Sequence, residues 1–243
     1  MDIKDKVILI TGASAGIGMA SARLLWKEGA KLALNARSRD KLELLAAELP
    51  GAAVFVADMT DERAVRHTVE RVASAFGRID VLINNAGRGM NGPLEDIDIE
   101  QYRALIELNI VGPLVAMQAA VPIMRKQGSG AIVNISSGTT LMYAPGLSGY
   151  SATKRALNGL SLTARAELAK DGIAVSVVYP YVTKSDFYEN VVSSAPKLKT
   201  VDEYVAGRAP ADSSEFVAEL IKEAIVSGEA EIYAHDWMKS AMR

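Results

Sequence analysis

The 243-residue sequence contains no cysteine and only two histidines, His67 and His235. The first absence excludes disulfides, thiolate zinc sites and a cysteine nucleophile, and the second argues against a histidine-rich metal centre. Aromatic residues make up 6% of the chain, and 27 basic against 29 acidic side chains leave a formal net charge of −2. The basic excess that marks a nucleic-acid binder is missing. No signal peptide is expected, because residues 1–6 alternate charges and run into Val7-Ile8-Leu9-Ile10, which is too short for its apolar core. The stretch 108–124 is uncharged but carries Asn109, Gly112, Pro113, Gln118 and Pro122, which hydrocarbon tolerates badly. It reads as a buried helix, and a cytoplasmic protein without a membrane or nucleic-acid partner is expected. Chemistry, if any, must run on oxygen and nitrogen groups or on a borrowed cofactor.

What is present is ordinary globular material, 49% hydrophobic and 23% charged, sufficient for one domain over residues 1–243. Short β-branched runs at 7–11, 31–35, 53–57, 79–84, 131–136, 173–179 and 230–234 alternate with stretches of helical period such as 16–28 and 61–76. That alternation predicts an α/β fold, a doubly wound parallel sheet of seven strands. The strands lack polar alternation, as strands buried on both faces do.

Gly29 and Gly172 follow charged helix ends and suit the left-handed C-terminal position; Asp98 and Gln101 suit a capping box opening a helix over 100–126. That helix is apolar nearly all round. The next, 150–170, has a large-residue face (Leu157, Leu160, Leu168) and a small-residue face (Ala152, Ala156, Gly159, Thr163, Ala166). One apolar face is enough to cover a sheet. The surplus predicts a homodimer or homotetramer through these two helices, the alternative being a thicker core. The long connection 183–213, with Phe187, Tyr188, Val191, Val192 and Tyr204, is expected to be a substrate lid, or else a surface excursion.

After the first strand comes Thr11-Gly12-Ala13-Ser14-Ala15-Gly16-Ile17-Gly18 and then a helix. Glycines there allow a tight turn and close backbone approach to a phosphate, and the helix N-terminus favours an anion. The same residues spell the G-x-S-x-G elbow of a serine hydrolase with Ser14 as nucleophile. Against that reading, only 11 residues precede Gly12, and the histidine would have to be His235, eight residues from the end. The end of the second strand reads Asn35-Ala36-Arg37-Ser38-Arg39. A carboxylate there would hold a ribose 2′-hydroxyl, whereas Arg37 can fork onto a 2′-phosphate. NADP(H) is therefore expected over NAD(H).

Tyr150-Ser151-Ala152-Thr153-Lys154 places a phenol and an ammonium one helical turn apart. Moving a phenol from about 10 to about 7 takes roughly 4 kcal/mol of differential stabilisation, which a neighbouring cation can supply in part. Such a tyrosine can protonate a carbonyl oxygen or deprotonate an alcohol. Thirteen residues earlier stands Ser137, and Asp58 and Asn84-Asn85-Ala86-Gly87 also fall at strand ends, where ligands of open parallel sheets sit. Ser136 is the alternative working serine. His67, on a charged helix, reads as solvated, and the acidic run Glu95-Asp96-Asp98-Glu100 as a helix entrance; no metal site is expected.

In order and spacing these residues resemble the classical short-chain dehydrogenase/reductase family over nearly the whole chain. The resemblance rests on Thr11-Gly12-x-x-x-Gly16-Ile17-Gly18, Asp58, Asn84-Asn85-Ala86-Gly87, Asn109, Ser137 and Tyr150-x-x-x-Lys154. It implies a three-layer Rossmann fold with strand order 3-2-1-4-5-6-7. It implies an NADP(H)-dependent oxidoreductase that interconverts a carbonyl and a secondary alcohol. Tyr150 would be the general acid–base, Ser137 would hold the substrate oxygen, Lys154 would bind the nicotinamide ribose and tune Tyr150, and Asn109 would support a water relay. Cofactor contacts would come from Gly12, Ser14, Gly16, Ile17 and Gly18, from Arg37 and Ser38, and from Asp58 at the adenine with Met59 beside it. Asn85, Ala86 and Gly87 would flank the ribose, and the backbone at Thr183 would meet the carboxamide. Three departures stand out: Tyr181 where glycine usually follows Pro180, Ser185 where threonine is commoner, and Ala15 where some NADP-users carry a basic residue. Met90, Leu141, Met142, Tyr143, Phe187 and Tyr188 suggest an apolar small-molecule substrate. The competing class is a protein that senses NADP(H) without chemistry.

Overall fold

Seven of the β-branched runs pair side by side in a computed structural model that describes residues 1–184, 187, 191–193 and 210–240. They are β1 (Val7–Thr11), β2 (Lys31–Ala36), β3 (Ala53–Val56), β4 (Val81–Asn84), β5 (Gly130–Ile135), β6 (Ile173–Tyr179) and β7 (Glu231–Tyr233). All pairings are parallel, and the order is β3-β2-β1-β4-β5-β6-β7. This is the order the resemblance implies, with strand bounds shifted by a residue or two from the sequence reading.

Around the sheet lie α1 (Gly16–Lys27), α2 (Arg39–Glu48), α3 (Glu62–Phe76), α4 (Ile99–Ile106), α5 (Gly112–Gln127), α6 (Ser148–Leu168), α7 (Ser214–Ser227) and the short α8 (Asp236–Ser240). Successive strand residues feed opposite faces. Ile8, Ile10, Ile83 and Val133 join α1, α2 and α7 in one core, while Val7, Leu9, Leu82 and Ile132 join α3, α5 and α6 in the other. Three layers result, and every residue of β1 is buried.

The helix expected over 100–126 is three pieces. Between α4 and α5 lies a π-helical turn, Glu107–Val111, a distortion that recurs at functional sites. Asp98 caps α4 by accepting from Gln101 N–H at 2.8 Å. By length and composition 99–127 could cross a membrane; here Val115, Ala116, Met117, Ala120 and Met124 bury it against the sheet. Gly29 and Gly172 take the left-handed conformation expected of them (φ 86° and 69°).

Parts of the expected lid are described. Thr183 bridges Asp212 in parallel, and Val192–Ser193 pairs with Met90–Asn91 as a two-residue parallel ladder. Ser185, Tyr188 and Tyr204 lie outside the described residues.

Candidate active site

A cavity of about 320 Å³ opens where the strand ends of β1, β4, β5 and β6 meet, lined by Gly12, Ala15–Ile17, Asn85–Gly87, Ser136–Thr139, Tyr150, Lys154 and Pro180–Thr183 among others. Parallel strands all end on the same edge, so one topology delivers residues more than a hundred positions apart to one place.

The glycine turn is held by two side chains. Thr11 Oγ1 donates to the Ile83 carbonyl and accepts from the Asn85 and Ala86 N–H groups at 3.1 Å each. Asn85 Nδ2 donates to the carbonyls of Thr11 (3.0 Å) and Gly12 (3.1 Å). The Asn85 amide is thus committed to tying β1 to β4, and what it offers the cavity is its main chain. A Cβ on Gly12 would come within 2.9 Å of Ala86 Cα, and one on Gly18 would run into the Gly12 carbonyl. Gly12 and Gly16 are also in the positive-φ region (66° and 50°). Gly12, Gly16 and Ile17 line the cavity, whereas Ser14 and Gly18 do not; Gly18 acts by letting α1 approach the turn. No side chain caps the start of α1, which leaves its first N–H groups for an anion.

Arg37, Ser38, Asp58 and Met59 stand beyond this cavity at the ends of β2 and β3. Arg37 is exposed, its guanidinium 3.8 Å from an Asp58 oxygen. Asp58 Oδ1 accepts from the N–H and hydroxyl of Thr60, both at 2.9 Å. Ser38 is the N-cap residue of α2 and makes no side-chain cap bond. The Met59 side chain is buried in the α3/α5/α6 core, and its carbonyl abuts Gly112.

At the other end, Ser137 opens a 3₁₀ turn, Gly138–Leu141, and its Oγ accepts from the N–H (3.2 Å) and hydroxyl (3.0 Å) of Thr139. Tyr150 and Lys154 lie on the first turns of α6, which begins two residues before Tyr150. The Tyr150 ring is nearly buried, 5.9 Å from that of Phe187, in an apolar cluster with Met90 and Leu105 that Ile97, Tyr102 and Val192 flank. Lys154 Nζ donates to the Ile135 carbonyl at 2.9 Å. Burial pushes its ammonium down to about 8, since an ion loses solvation there without a carboxylate to replace it. It is the one ionic side chain among the described residues lining the cavity.

Asn109 is fully buried in the π turn. Its Oδ1 accepts from Arg88 N–H and its Nδ2 donates to Arg88 O, both at 3.0 Å, and to Thr153 Oγ1 at 3.1 Å. Thr153 Oγ1 in turn donates to the Tyr150 carbonyl. Both amide hydrogens are engaged, so Asn109 holds the Gly87–Arg88 loop against α6.

A short chain dehydrogenase family model matches residues 6–195. The chain belongs to the short-chain dehydrogenase family. It is 36% identical over 180 residues to an uncharacterized oxidoreductase of Staphylococcus aureus, covering 73% of this chain and 78% of the relative. A solved short-chain dehydrogenase from Streptomyces avermitilis is 31% identical with TM-score 0.86, over 98% of this chain and 91% of that one. A 3-ketoacyl-(acyl-carrier-protein) reductase of Brucella melitensis, solved with NADH, is 25% identical with TM-score 0.86, over 95% and 97% of the two chains.

In this short-chain dehydrogenase the expected substrate wall needs correction. Met90, Met142 and Phe187 line the cavity. Leu141 instead enters the α1/α2/α7 core, and Tyr143, 92% exposed, lies on the Arg155 guanidinium at 4.7 Å. Arg155 also donates to the carbonyls of Thr140 (3.0 Å) and Met142 (2.9 Å), which turns the Tyr143 backbone outward. Asn84 points into the core, bonded to Asn134 at 2.8 Å. Val191, named in the expected lid, also lines the cavity, whereas sequence reasoning singled out neither Leu147 nor Ser193; no motif marks them, and the pairing of 192–193 with 90–91 that places Ser193 is long-range. No hydrogen bond joins Ser14 to His235, whose partner is Asp212, so the hydrolase reading lacks its base.

Proposed function

We propose that the protein is an NADP(H)-dependent oxidoreductase that interconverts an apolar carbonyl compound and its secondary alcohol. The observation carrying this reading is the convergence of Ser137, Tyr150 and desolvated Lys154 on one cavity that begins at a glycine turn. The nucleotide fits: the turn has no room for a Cβ at Gly12 or Gly18, and the start of α1 carries no side-chain cap. The NADH complex of the Brucella relative supports a nicotinamide cofactor; exposed Arg37 beside Ser38, with no carboxylate on β2's end, supports the phosphorylated form. NAD(H) is the alternative.

When bound, the nicotinamide supplies the hydride. The protein supplies the proton and the positioning. Tyr150 donates its phenolic proton to the carbonyl oxygen, or withdraws it from the alcohol, while Ser137 Oγ holds that oxygen. Lys154 takes a ribose hydroxyl as acceptor and favours the phenolate by its charge. Gly87 passes close to both Lys154 and Asn109: a Cβ there would sit 3.3 Å from Lys154 Nζ and from Asn109 Oδ1. Asp58 and the Met59 main chain meet the adenine, Asn85 to Gly87 the ribose, and the Thr183 main chain the carboxamide. The apolar cluster around Tyr150 excludes water and selects an uncharged substrate.

Tyr150→Phe is expected to lower kcat by about 10³-fold or more while nucleotide affinity stays within about twofold. Retained turnover in a carbonyl screen followed by NADPH absorbance would refute the assignment. The single domain assembles as a dimer or tetramer through α5 and α6, where Gly159 has open space and Ala152, Ala156, Thr163 and Ala166 are exposed. Light scattering should give a multiple of 25.9 kDa; a monomer mass ends that reading.

A further inference from the structure

His235 and Asp212 lie outside the cavity lining and take no part in the proton chemistry above. The imidazole Nε2 is 3.1 Å from both Asp212 carboxylate oxygens. That carboxylate is only 11% exposed; burial pushes its carboxyl up, and His235 draws it part of the way back. The imidazole is flanked by Phe216 (5.8 Å, 21°) and Trp237 (6.0 Å, 9°), and Tyr181 meets it edge-on at 5.8 Å. Tyr181 also meets Trp237 edge-on at 5.6 Å. The unusual residue after Pro180 therefore has its partners in the C-terminal segment.

The main chain of Asp212 reaches the cavity wall. Its N–H donates to Val182 O and its carbonyl accepts from Lys184 N–H, both at 2.8 Å, across Thr183. Tyr181, Val182 and Thr183 all line the cavity. The same C-terminal segment supports the adjoining wall, because Met238 lies under Gly138, where a Cβ would be 2.8 Å from its Cε. Gly138 N–H donates to Pro180 O at 2.7 Å.

We propose that His235 is a positioning residue: through Asp212 it fixes the main chain of residues 182–184 against the cavity and so sets nucleotide affinity without touching the reacting atoms. The physical reason is the burial of Asp212. A largely buried carboxylate deprived of the imidazole that bonds it is left without a partner for its charge, which the bridge relieves by moving Asp212 outward and Thr183 with it. This inference rests on the reading of the cavity as a nicotinamide site.

The test compares His235→Phe, which keeps the ring and removes the Asp212 contact, with His235→Gln, which keeps a donor. H235F is expected to raise the KM for NADPH about tenfold with kcat within about twofold, and H235Q to return it to within about threefold of wild type. Asp212→Asn keeps an acceptor for His235 and removes the charge, so D212N alone is expected to stay within about threefold of wild type and, added to H235F, to bring the KM back to within about threefold; independent effects would leave the tenfold rise in place. A tenfold rise that persists in the double variant, or a fall in kcat at unchanged KM, overturns the inference. If H235F does not fold, His235→Leu removes the same donor, and an unchanged KM in H235L is then overturning. Direct titration separates this from failure of the cofactor reading: wild type that binds neither NADPH nor NADH sinks that reading, whereas wild-type binding matched by H235F sinks this inference alone.

Discussion

Lys154 and Arg37 are both cations at the carboxyl edge of the sheet, yet Lys154 is 4% exposed and the Arg37 side chain 77%. Around Lys154 the protein fixes everything: Ile135 O accepts at 2.9 Å, Gly87 leaves room above Nζ, and Asn109 and Thr153 lock the neighbouring loop and helix. Around Arg37 it fixes little, a 3.8 Å approach to an Asp58 that Thr60 already holds. Burial makes the reacting end a property of the whole fold, whose alteration changes chemistry and stability together. The Arg37 end is a few exposed side chains, which on the proposed reading tune nucleotide affinity while the fold stays as it is.

Replacing Lys154 should show the larger effect. Lys154→Met is expected to lower kcat/KM by about 10³-fold or more, because ribose positioning and phenolate stabilisation go together. Its stability should not fall at pH 7. The unfolded chain holds the Lys154 proton up to an ordinary value near 10.5, the folded chain only up to about 8. Between those values the unfolded state binds more protons, so wild-type stability rises with pH there and carries the full penalty below pH 8. Thermal melts of wild type and K154M should therefore diverge in favour of wild type as pH goes from 8 to 10. A variant much less stable than wild type at pH 7 would mean that the Ile135 bond outweighs desolvation, and would overturn the sign expected here.

The same contrast explains what the sequence could show. The seven-stranded parallel sheet and the Ser137, Tyr150 and Lys154 constellation were legible, because β-branched runs alternate with helical stretches, strand ends of a parallel sheet fall on one edge and helical spacing is local; the strand order came only from the family resemblance. Gly18 and Asn85 were legible too, but with different work: their contacts cross from β1 to β4, and only the fold shows that a Cβ or an amide would meet the turn. Tyr143 was misplaced because nothing local announces that Arg155, twelve residues on, grips the carbonyls of Thr140 and Met142 just before it. His235 was visible only as a rare histidine and as the base that a hydrolase reading would need. Its pairing with Asp212 depends on β7 lying beside β6 and bringing the C-terminal segment to the root of residues 183–213.

Arg37 should give the smaller effect, and one confined to nucleotide choice. Arg37→Asp replaces a fork for a 2′-phosphate with a carboxylate that repels it and can accept from a 2′-hydroxyl. The ratio of NADPH to NADH affinity is expected to fall about 10- to 100-fold, with kcat on the preferred cofactor within a few-fold of wild type. Stability should move by no more than about 0.5 kcal/mol, the scale of an exposed ion pair, even though the substitution places a second carboxylate beside Asp58; solvent screens both. Equal losses for NADPH and NADH would show that Arg37 meets a phosphate common to both. An unfolding shift of several degrees would instead show that the exposed end is as much a part of the fold as Lys154, which its solvent contact and its single distant partner argue against.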